Sequence, residues 1–416
     1  MEYSLQCNDD QFSCDDGTCV QMGHRCNWQF ECKDKSDEND CMNLLIDKES
    51  YSKDIPPFSY DAKEKVIVSI ILMSVDKIDL TSATFNAKIQ LIIKWKDYRL
   101  TFINLFKSGN IVEKDTKQEI WIPPLRFTNA PIELLINDEQ TSISILRKGG
   151  YQLNDITDLH EARIYKGSEN ELKYSRNYEM DFKCSYNLVL YPFDTQTCTI
   201  NMDIPDVFQE YIAIYNESMI NTGSSKLEQF WITKVELITN KDKSEIFGKI
   251  SLKRIPWFHI STTYAPIVCL FIMVLVTLFV DKSHFEATIM VALTGMLVMH
   301  TLFSSIAASM PATAYLTLLD YWLIFGLIMP FLVFIVLVIW ELMAFKLPDV
   351  DTNGEMYGPR KEKFIVPMNC CKYFLPILTL VFVIIYMIFV LVVYNKEEMD
   401  ILDVQLTKIK TLLLNV

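Results

Sequence analysis

Long stretches of the sequence lack charge, and these gaps are its first informative feature. Asp, Glu, Lys and Arg are absent from Ala287 to Leu319, from Tyr321 to Trp340 and from Tyr373 to Asn395. Between Ile255 and Val280 the one side chain that can carry a charge near neutral pH is His259. A helix needs about 20 residues to cross a hydrocarbon layer of about 30 Å. The sequence therefore predicts four membrane-spanning helices.

Enzyme motifs are also missing. The chain has no zinc-protease histidine pair, no nucleophile elbow and no phosphate-binding loop. An enzyme is therefore not expected. Acidic residues outnumber basic ones by 52 to 39, which gives a formal net charge of −13 and disfavours nucleic acid as a partner.

Cysteines are concentrated near the amino end. Eight of the eleven precede the first predicted span, which indicates an oxidising compartment for that region. The Asn216-Glu217-Ser218 glycosylation acceptor is consistent with that side of the membrane. Six cysteines fall within residues 7–41, a segment too short for a hydrophobic core of its own. Its fold must come from disulfides, with a metal as a further candidate, and spacing alone leaves the pairing open.

This cysteine segment, with Phe12, Gly17 and the run from Cys32 to Glu38, resembles an LDL-receptor class A module spanning residues 1–41. The resemblance implies the disulfide pairs Cys7–Cys19, Cys14–Cys32 and Cys26–Cys41.

The same resemblance implies a structural calcium ion, a cation that prefers six to eight oxygen ligands. By position, the ligands are the side chains of Asn27, Glu31, Asp37 and Glu38 and the carbonyls of His24 and Gln29. Asn27 and Glu31 stand where the family usually has Asp, so we expect weaker binding than is typical. The alternative is that these acids only solvate the disulfide knot. A further expectation is an extracellular protein partner with basic side chains.

Residues 42–256 are predicted to be a β-sandwich preceded by a short helix. The helix would cover residues 42–51 and end before Ile55-Pro56-Pro57, because proline cannot continue it. Beyond it, β-branched and aromatic runs alternate with polar clusters, which is typical of a sandwich. The predicted strands are Val66–Leu72, Phe85–Trp95, Trp231–Ile238 and Ile246–Leu252.

Cys184 and Cys198 enclose thirteen residues that include Tyr191-Pro192-Phe193-Asp194. A disulfide here would contribute about 3 kcal/mol by the loop-entropy model. The loop resembles the namesake loop of the Cys-loop receptors, the pentameric ligand-gated ion channels. Trp95–Leu100 and Trp121-Ile122-Pro123 match sheet landmarks of that family, and the resemblance covers residues 44–395.

The resemblance implies a multidomain chain: the disulfide and calcium module, an extracellular ligand-binding β-sandwich (42–256) and a four-helix transmembrane domain (257–395). It also implies four further subunits of the same or a related type, in a homopentamer or a heteropentamer.

An unidentified small-molecule agonist would bind between subunits, where some members cage a quaternary amine with aromatic side chains. A gapless alignment with those members places Gln90, Thr128, Pro205 and Lys243 at the cage positions. Local gaps in the alignment would instead place Phe127 or Phe247 there. No complete cage results. The alternative is that these aromatics are ordinary strand residues.

The second predicted span carries polar side chains at helical spacing. Steps of three and four residues place one set on a single face: Glu286, Met290, Thr294, Leu297, Thr301, Ser304 and Ala308. A polar stripe in a membrane helix should face protein or water. Five copies closing into a ring would line a pore, and packing between helices is the alternative. By resemblance, Leu297 is the hydrophobic gate, which blocks ions by dewetting.

Glu286 is the candidate for charge selection at the pore mouth. At about 6 Å, each carboxylate attracts a monovalent cation by roughly 0.7 kcal/mol even at the dielectric of bulk water. Cation-selective relatives have Glu here, although one residue later, and anion-selective ones have a Pro-Ala-Arg run that Ser283–Glu286 lacks. We expect a cation-selective channel. The alternatives are an anion-selective channel of the same family and a non-conducting surface receptor or accessory subunit.

Basic residues set the orientation in the plasma membrane. The short link 343–370 contains Lys346, Arg360, Lys361 and Lys363, so it is expected in the cytosol with both termini outside. Residues 396–416 form a predicted amphipathic helix that packs on its own subunit or on membrane lipid.

Gating is expected where the sandwich meets the spans. The predicted contacts come from Phe193 and Asp194, the Val75–Asp79 turn, Arg254 and the Pro311–Thr317 loop. The resemblance pairs Arg254 with Asp194.

Overall fold

The computed structural model describes residues 7–8, 11–39, 41–57, 62–112, 114–130, 141–153, 163–240, 244–280, 284–345 and 372–394. Residues 396–416, Lys243 and most of the predicted link 343–370 lie outside the described residues.

The amino-terminal module is small and stapled. A two-stranded hairpin pairs β1 (Gln11–Ser13) with β2 (Cys19–Gln21), and short 3₁₀ turns follow at Met22–His24 and Ser36–Glu38. The disulfides are Cys7–Cys19, Cys14–Cys32 and Cys26–Cys41, the pairing that the resemblance implies. The apolar core of the module consists of Phe12, Met22 and two half-cystines, so covalent links carry most of its fold.

The strands described between Leu44 and Arg254 form a β-sandwich. Its larger sheet has six strands in the order β14-β4-β5-β12-β9-β7, and only β14 and β4 pair in parallel. These strands are β4 (Glu64–Asp79), β5 (Thr84–Trp95), β7 (Asn110–Ile111), β9 (Thr141–Leu146), β12 (Glu171–Lys183) and β14 (Ile212–Asn221).

The facing sheet has the order β15-β16-β13-β8, and a smaller sheet β10-β11-β6-β3 lies beside them. The strands of the facing sheet are β8 (Arg126–Phe127), β13 (Thr195–Asp203), β15 (Phe230–Asn240) and β16 (Glu245–Arg254). Those of the smaller sheet are β3 (Leu44–Leu45), β6 (Thr101–Ile103), β10 (Gln152–Leu153) and β11 (Arg163–Lys166).

Alternation along β5 shows why the chain folds this way. Every second side chain from Phe85 to Trp95 is buried, and the residues between them are partly exposed. Successive side chains of a strand point to opposite faces, so one face packs on the opposite sheet. Burying one large apolar side chain contributes roughly 1.5–3 kcal/mol. The four predicted strands are all present, and β4 runs on to Asp79 beyond its predicted end.

Two sequence predictions are wrong here. Residues 42–51 do not form a helix: Leu44 and Leu45 pair with β6, and Asp47 then makes a turn. The Asp47 carboxylate accepts hydrogen bonds from Glu49 N (3.2 Å) and Ser50 Oγ (2.7 Å), which favours a turn over a helix. Val75–Asp79 is not a turn either, since it ends β4, and the turn itself is residues 80–83.

Within the described part of the chain, four helices are long and apolar enough to cross a membrane, as predicted: Trp257–Phe279, Phe285–Ala308, Leu318–Leu342 and Lys372–Tyr394. We call them the first to fourth membrane helices. Glycines let them approach closely: a Cβ on Gly295 would lie 2.8 Å from Val274 of the first helix, and one on Gly326 would lie 2.5 Å from Met299. Small residues at such contacts are typical of helix packing in membranes.

Candidate functional site

The junction between the sandwich and the membrane helices is built around the loop that the Cys184–Cys198 disulfide closes. Leu188, Tyr191 and Phe193 of this loop belong to the apolar cluster of the helices and not to that of the sandwich. The ring of Phe193 lies 6.1 Å from that of Tyr264 in the first membrane helix. One side of the loop therefore packs against the helical bundle.

Backbone hydrogen bonds fix the loop to the start of the third membrane helix. Leu318 N donates to Val189 O at 2.8 Å, and Leu319 N donates to Tyr191 O at 3.2 Å. Leu188 N donates to the Tyr315 hydroxyl at 3.0 Å. The first amides of a helix have no partner within the helix, so the loop carbonyls satisfy donors that would otherwise need water.

A buried ion pair closes the junction from the sandwich side. Arg254 Nε donates to Asp194 Oδ1 at 2.7 Å and Arg254 Nη2 to Asp194 Oδ2 at 3.1 Å. The side chains are 1% and 3% exposed. The Gln196 amide also donates to Asp194 Oδ2, and its oxygen accepts from Asn187 N at 2.9 Å. A bidentate, charge-assisted pair of this kind fixes both orientation and distance.

Tyr191 packs under this pair. The Arg254 guanidinium lies 4.6 Å from the centre of the Tyr191 ring, within the range of a cation–π contact. Burial raises the pKa of Tyr191 to about 12 despite the opposing effect of Arg254, so the phenol is neutral at physiological pH. Its hydroxyl lies 3.1 Å from His259 Nε2 in the first membrane helix.

The turn between β4 and β5 reaches the same junction. Leu80 packs against the apolar cluster of the helices. Asp79 Oδ1 accepts from the Thr81 hydroxyl at 2.6 Å and from the amides of Thr81 and Ser82. These hydrogen bonds, the Thr81 hydroxyl first, hold the pKa of Asp79 well below its usual value. The carboxylate therefore shapes the turn that presents Leu80.

Pro311 lies in the connection between the second and third membrane helices. It lines a cavity of about 240 Å³ together with Phe303, Met310 and Asp320. The third helix begins with a cap: Asp320 Oδ2 accepts from Thr317 N (2.7 Å) and from the Thr317 hydroxyl (2.8 Å). The connection thus ends at a fixed helix start that also receives the disulfide-closed loop.

The second membrane helix has one face turned away from its own subunit. All seven predicted pore residues, Glu286, Met290, Thr294, Leu297, Thr301, Ser304 and Ala308, are exposed within the single chain. The opposite face, with Ala292 and Met299, is fully buried against neighbouring helices. Thr294 and Thr301 donate their hydroxyl protons to carbonyls of their own helix, so their oxygens remain acceptors toward the open face.

The predicted ligand-binding residues do not meet within one chain. Gln90 lies on the outward face of β5. Phe127 lies at the edge of the sandwich core, where its ring is 5.2 Å from that of Tyr178. Phe247 pairs with Asn201 on the outward face of β16, and Thr128 N donates to Asn201 O at 2.9 Å. Thr128 and Phe247 thus flank Asn201 on one sheet, and Gln90 lies on the other.

Residues 24–38 of the module, which contain the predicted calcium ligands and are called the acidic loop below, bring three carboxylates together. Oxygens of Glu31, Asp37 and Glu38 lie within 4.8 Å of one another. Asp37 is fully buried, and among the described residues Asp37 Oδ1 and Glu31 Oε2 have no hydrogen-bond partner. Asn27 Nδ2 donates to Glu31 Oε1 (3.1 Å), and His24 Nδ1 lies 3.2 Å from the same oxygen. Gln29 N donates to Asn27 Oδ1. Buried, unpaired carboxylate oxygens fit a hard cation.

Asn216, the glycosylation candidate, is exposed on β14. Its Nδ2 donates to Leu237 O at 2.8 Å and its Oδ1 accepts from the Thr239 hydroxyl at 2.6 Å.

Several residues of the junction were missed from the sequence. Leu80 is an apolar residue in the short connection directly after the predicted Val75–Asp79 turn, and that signal could have marked it. Tyr315 lies within the predicted Pro311–Thr317 loop. Leu318 and Leu319 act through backbone amides, which carry no residue signal at all.

A β-sandwich joined to four membrane helices through a disulfide-closed loop and one buried ion pair defines a multi-pass membrane protein with a large domain outside the spans. Residues 38–256 match the family model of the neurotransmitter-gated ion-channel ligand binding domain, and residues 5–41 match that of the low-density lipoprotein receptor domain class A. The chain therefore belongs to the neurotransmitter-gated ion-channel family, the Cys-loop receptors, and carries an LDL-receptor class A module.

Relatives include gamma-aminobutyric acid receptor subunits. The rho-1 subunit of Homo sapiens is 23% identical over 281 residues, which are 64% of this chain and 54% of that protein. The rho-2 subunit of Bos taurus is 21% identical over 276 residues, 64% of this chain and 55% of that protein. The beta subunit of Lymnaea stagnalis is 23% identical over 315 residues, 70% of this chain and 59% of that protein. The chain spans about half the length of the relatives it matches. The expected family is confirmed, and it is a family of channels, not enzymes.

Proposed function

We propose that this chain is one subunit of a pentameric ligand-gated ion channel in the plasma membrane. The observation that carries the proposal is the second membrane helix, whose seven predicted pore residues all lie on the face turned away from the subunit. In a ring of five copies that face would line the central axis. The family and the four apolar helices support the same conclusion.

Phe193, Asp194, Arg254 and Pro311 are the proposed transmission residues. A ligand-induced shift of β13 or β16 would move the Asp194–Arg254 pair, since each strand supplies or borders one partner. The loop would carry that shift to the third helix through its backbone bonds, and the connection at Pro311 would carry it to the second helix. Buried, bidentate contacts suit this role because they resist independent motion of their partners.

The proposed agonist is a small molecule bound between subunits. Gln90 lies on one sheet, and Thr128 and Phe247 lie on the other, so a site containing all of them requires two subunits. Phe127 would support it from the core edge. Gamma-aminobutyric acid is the first compound to test because the relatives are named for it.

An agonist-independent experiment tests the pore. Leu297 is 65% exposed and is the proposed gate, so Leu297→Thr should wet the constriction and produce a standing current in expressing cells. Leu380→Thr is the matched control, since Leu380 is 61% exposed on the fourth helix. Similar currents for both variants and the parent channel would contradict pore lining by the second helix. Surface expression without current in any variant would favour a non-conducting receptor.

Two candidates exist for charge selection. Glu286 is exposed at the start of the second helix, which supports cation selectivity through a ring of carboxylates. The similarity to gamma-aminobutyric acid receptor subunits favours an anion-selective pore instead. The standing current of Leu297→Thr decides between them. A reversal potential that follows sodium, and that Glu286→Gln shifts, supports the first candidate; one that follows chloride supports the second.

We also propose that the module holds one structural calcium ion. The side chains of Glu31, Asp37, Glu38 and Asn27 and the carbonyls of His24 and Gln29 would hold it, and the unpaired oxygens of Asp37 and Glu31 support this assignment. The charged ion would neutralise carboxylates that burial otherwise disfavours. Asp37→Asn should abolish calcium binding measured by calorimetry on the whole receptor, whereas Asp54→Asn, on an exposed residue outside the loop, should not.

The remaining proposals concern orientation and partners. Both termini would lie outside the cell, with the link after the third helix in the cytosol and residues 396–416 against the subunit or membrane lipid.

Asn216 would carry a glycan. Glycosidase treatment should then change the electrophoretic mobility of the parent chain and leave that of Asn216→Gln unchanged. The exposed Trp28 and Phe30 in the acidic loop would suit an extracellular protein with basic side chains.

A further inference from the structure

The loop between β6 and β7 projects an aromatic side chain into the amino-terminal module. Phe106 packs against the module core, which consists of Phe12, Met22 and the Cys14–Cys32 bridge. That core has very few apolar residues of its own. A single ring from the sandwich is therefore a large part of its apolar surface.

Two buried asparagines hold this loop in shape. Asn110 Oδ1 accepts from Phe106 N at 2.7 Å and Asn110 Nδ2 donates to Phe106 O at 3.0 Å. Asn104 Oδ1 accepts a hydrogen bond from Arg163 N at 3.0 Å, and Asn104 N donates one to Arg163 O at 2.9 Å. The asparagines are 1% and 3% exposed. The Asn110 side chain is thus paired at both its oxygen and its nitrogen, and buried, satisfied polar groups of this kind hold a loop in one conformation.

Arginines connect the module to the sandwich from both sides. Arg163, 4% exposed at the start of β11, donates to the carbonyls of Cys7 and Asn8. Arg25, also 4% exposed, donates to Asn43 Oδ1 at 3.3 Å and lies over the Phe12 ring. Arg25 directly follows His24 and precedes Cys26 and Asn27, so the connection starts inside the acidic loop.

We infer that the module is a calcium-dependent part of the extracellular domain, and that calcium in its acidic loop stabilises the sandwich loop that carries Phe106. The inference rests on the proposed calcium site. Removing the ion leaves the carboxylates of Glu31, Asp37 and Glu38 close together, with Asp37 buried, and their repulsion destabilises the loop holding Arg25. A loosened module core then no longer holds Phe106. The module surface that contacts Phe106 thus binds the β-sandwich of the same chain.

Hydrogen exchange on the whole receptor tests this. Amides of residues 104–112 and of the module are compared in calcium and in a chelator, with β16 as an internal reference. Chelation should raise exchange in both segments by roughly tenfold or more, because losing an aromatic contact costs at least a factor of ten in an opening equilibrium. Asp37→Asn in calcium should reproduce the effect of the chelator.

The Phe106→Ala variant distinguishes the calcium response of the module amides from that of residues 104–112. In this variant the module amides should keep their response to calcium, and residues 104–112 should exchange rapidly with or without the ion. Ile111→Ala is the matched control, because Ile111 lies in the same segment, is 65% exposed and is outside the module core. It should behave like the parent chain.

Two results would overturn the inference, and they are distinguishable. If chelation affects the module amides and leaves residues 104–112 unchanged in the parent chain, the calcium site stands and the coupling is wrong. If chelation affects neither segment and calorimetry detects no calcium, the proposed site itself fails.

Discussion

Replacing Asp194 by Asn tests how strongly the junction depends on its ion pair. The substitution keeps the size and a hydrogen-bonding oxygen, and it removes the charge that faces Arg254. Because the Arg254 side chain is 1% exposed, the guanidinium would remain buried, and no other carboxylate of the described residues pairs with it.

The expected cost follows from this geometry. Removing one partner of a buried, hydrogen-bonded pair costs about 3–5 kcal/mol, mainly because the other charge stays away from water. One kcal/mol shifts the melting temperature by about 2–4 °C for a domain of 150–250 residues. We therefore expect Asp194→Asn to lower the melting temperature by roughly 6–20 °C.

Thermal melting of the detergent-solubilised receptor, followed by size-exclusion chromatography, measures the effect. Glu119→Gln is the control, since the Lys48–Glu119 pair is 77% and 45% exposed and should contribute less than about 1 kcal/mol. Adding Arg254→Met to Asp194→Asn should recover part of the loss, because the buried charge is then gone. If Asp194→Asn melts no lower than Glu119→Gln, the pair does not hold the junction.

Three further predictions use the same melting assay. Tyr51→Phe should cost about 1–3 kcal/mol, because the Tyr51 hydroxyl bonds both buried Asp97 and the Trp121 amide. Burial raises the pKa of Tyr51 to about 12, above its value of about 10 when unfolded, so this stabilisation is present below pH 10 and is lost as pH rises toward 12. The parent chain should thus lose more stability than Tyr51→Phe over that range, and equal losses would contradict the assignment. Thr317→Ala should cost about 0.5–2 kcal/mol by removing the cap of the third helix, and an unchanged melt would show that the cap is dispensable. Replacing Cys184 and Cys198 together by Ser should cost about 3 kcal/mol, and a loss no larger than that of Glu119→Gln would refute it.

Local patterns predicted the strands with regular alternation and missed those with mixed polarity. β5 reads as a strand because its apolar side chains recur at every second position. β12 has the same inward period at Leu172, Tyr174, Tyr178 and Phe182, but charged residues between them obscure it. The predicted helix at residues 42–51 failed because pairing with β6, a non-local contact, outweighs local helix propensity.

The candidate site was predictable where side chains carry the signal. Asp194 and Arg254 were paired by resemblance, and the second membrane helix was predicted from its spacing. The contact of Phe106 with the module joins segments more than 70 residues apart, so no local pattern contains it. The proposed agonist site could not be assembled either, since the proposed residues lie on different sheets and would meet only between two chains.

The two bonds from Leu318 and Leu319 to the disulfide-closed loop involve only main-chain atoms. Nearly any side chain at positions 189, 191, 318 and 319 leaves them intact, and only proline at 318 or 319 removes a donor. These two backbone contacts between the loop and the third helix thus tolerate most substitutions, unlike the side-chain pair of Asp194 and Arg254. We therefore expect the same two bonds in relatives that are only 21–23% identical to this chain over the aligned residues.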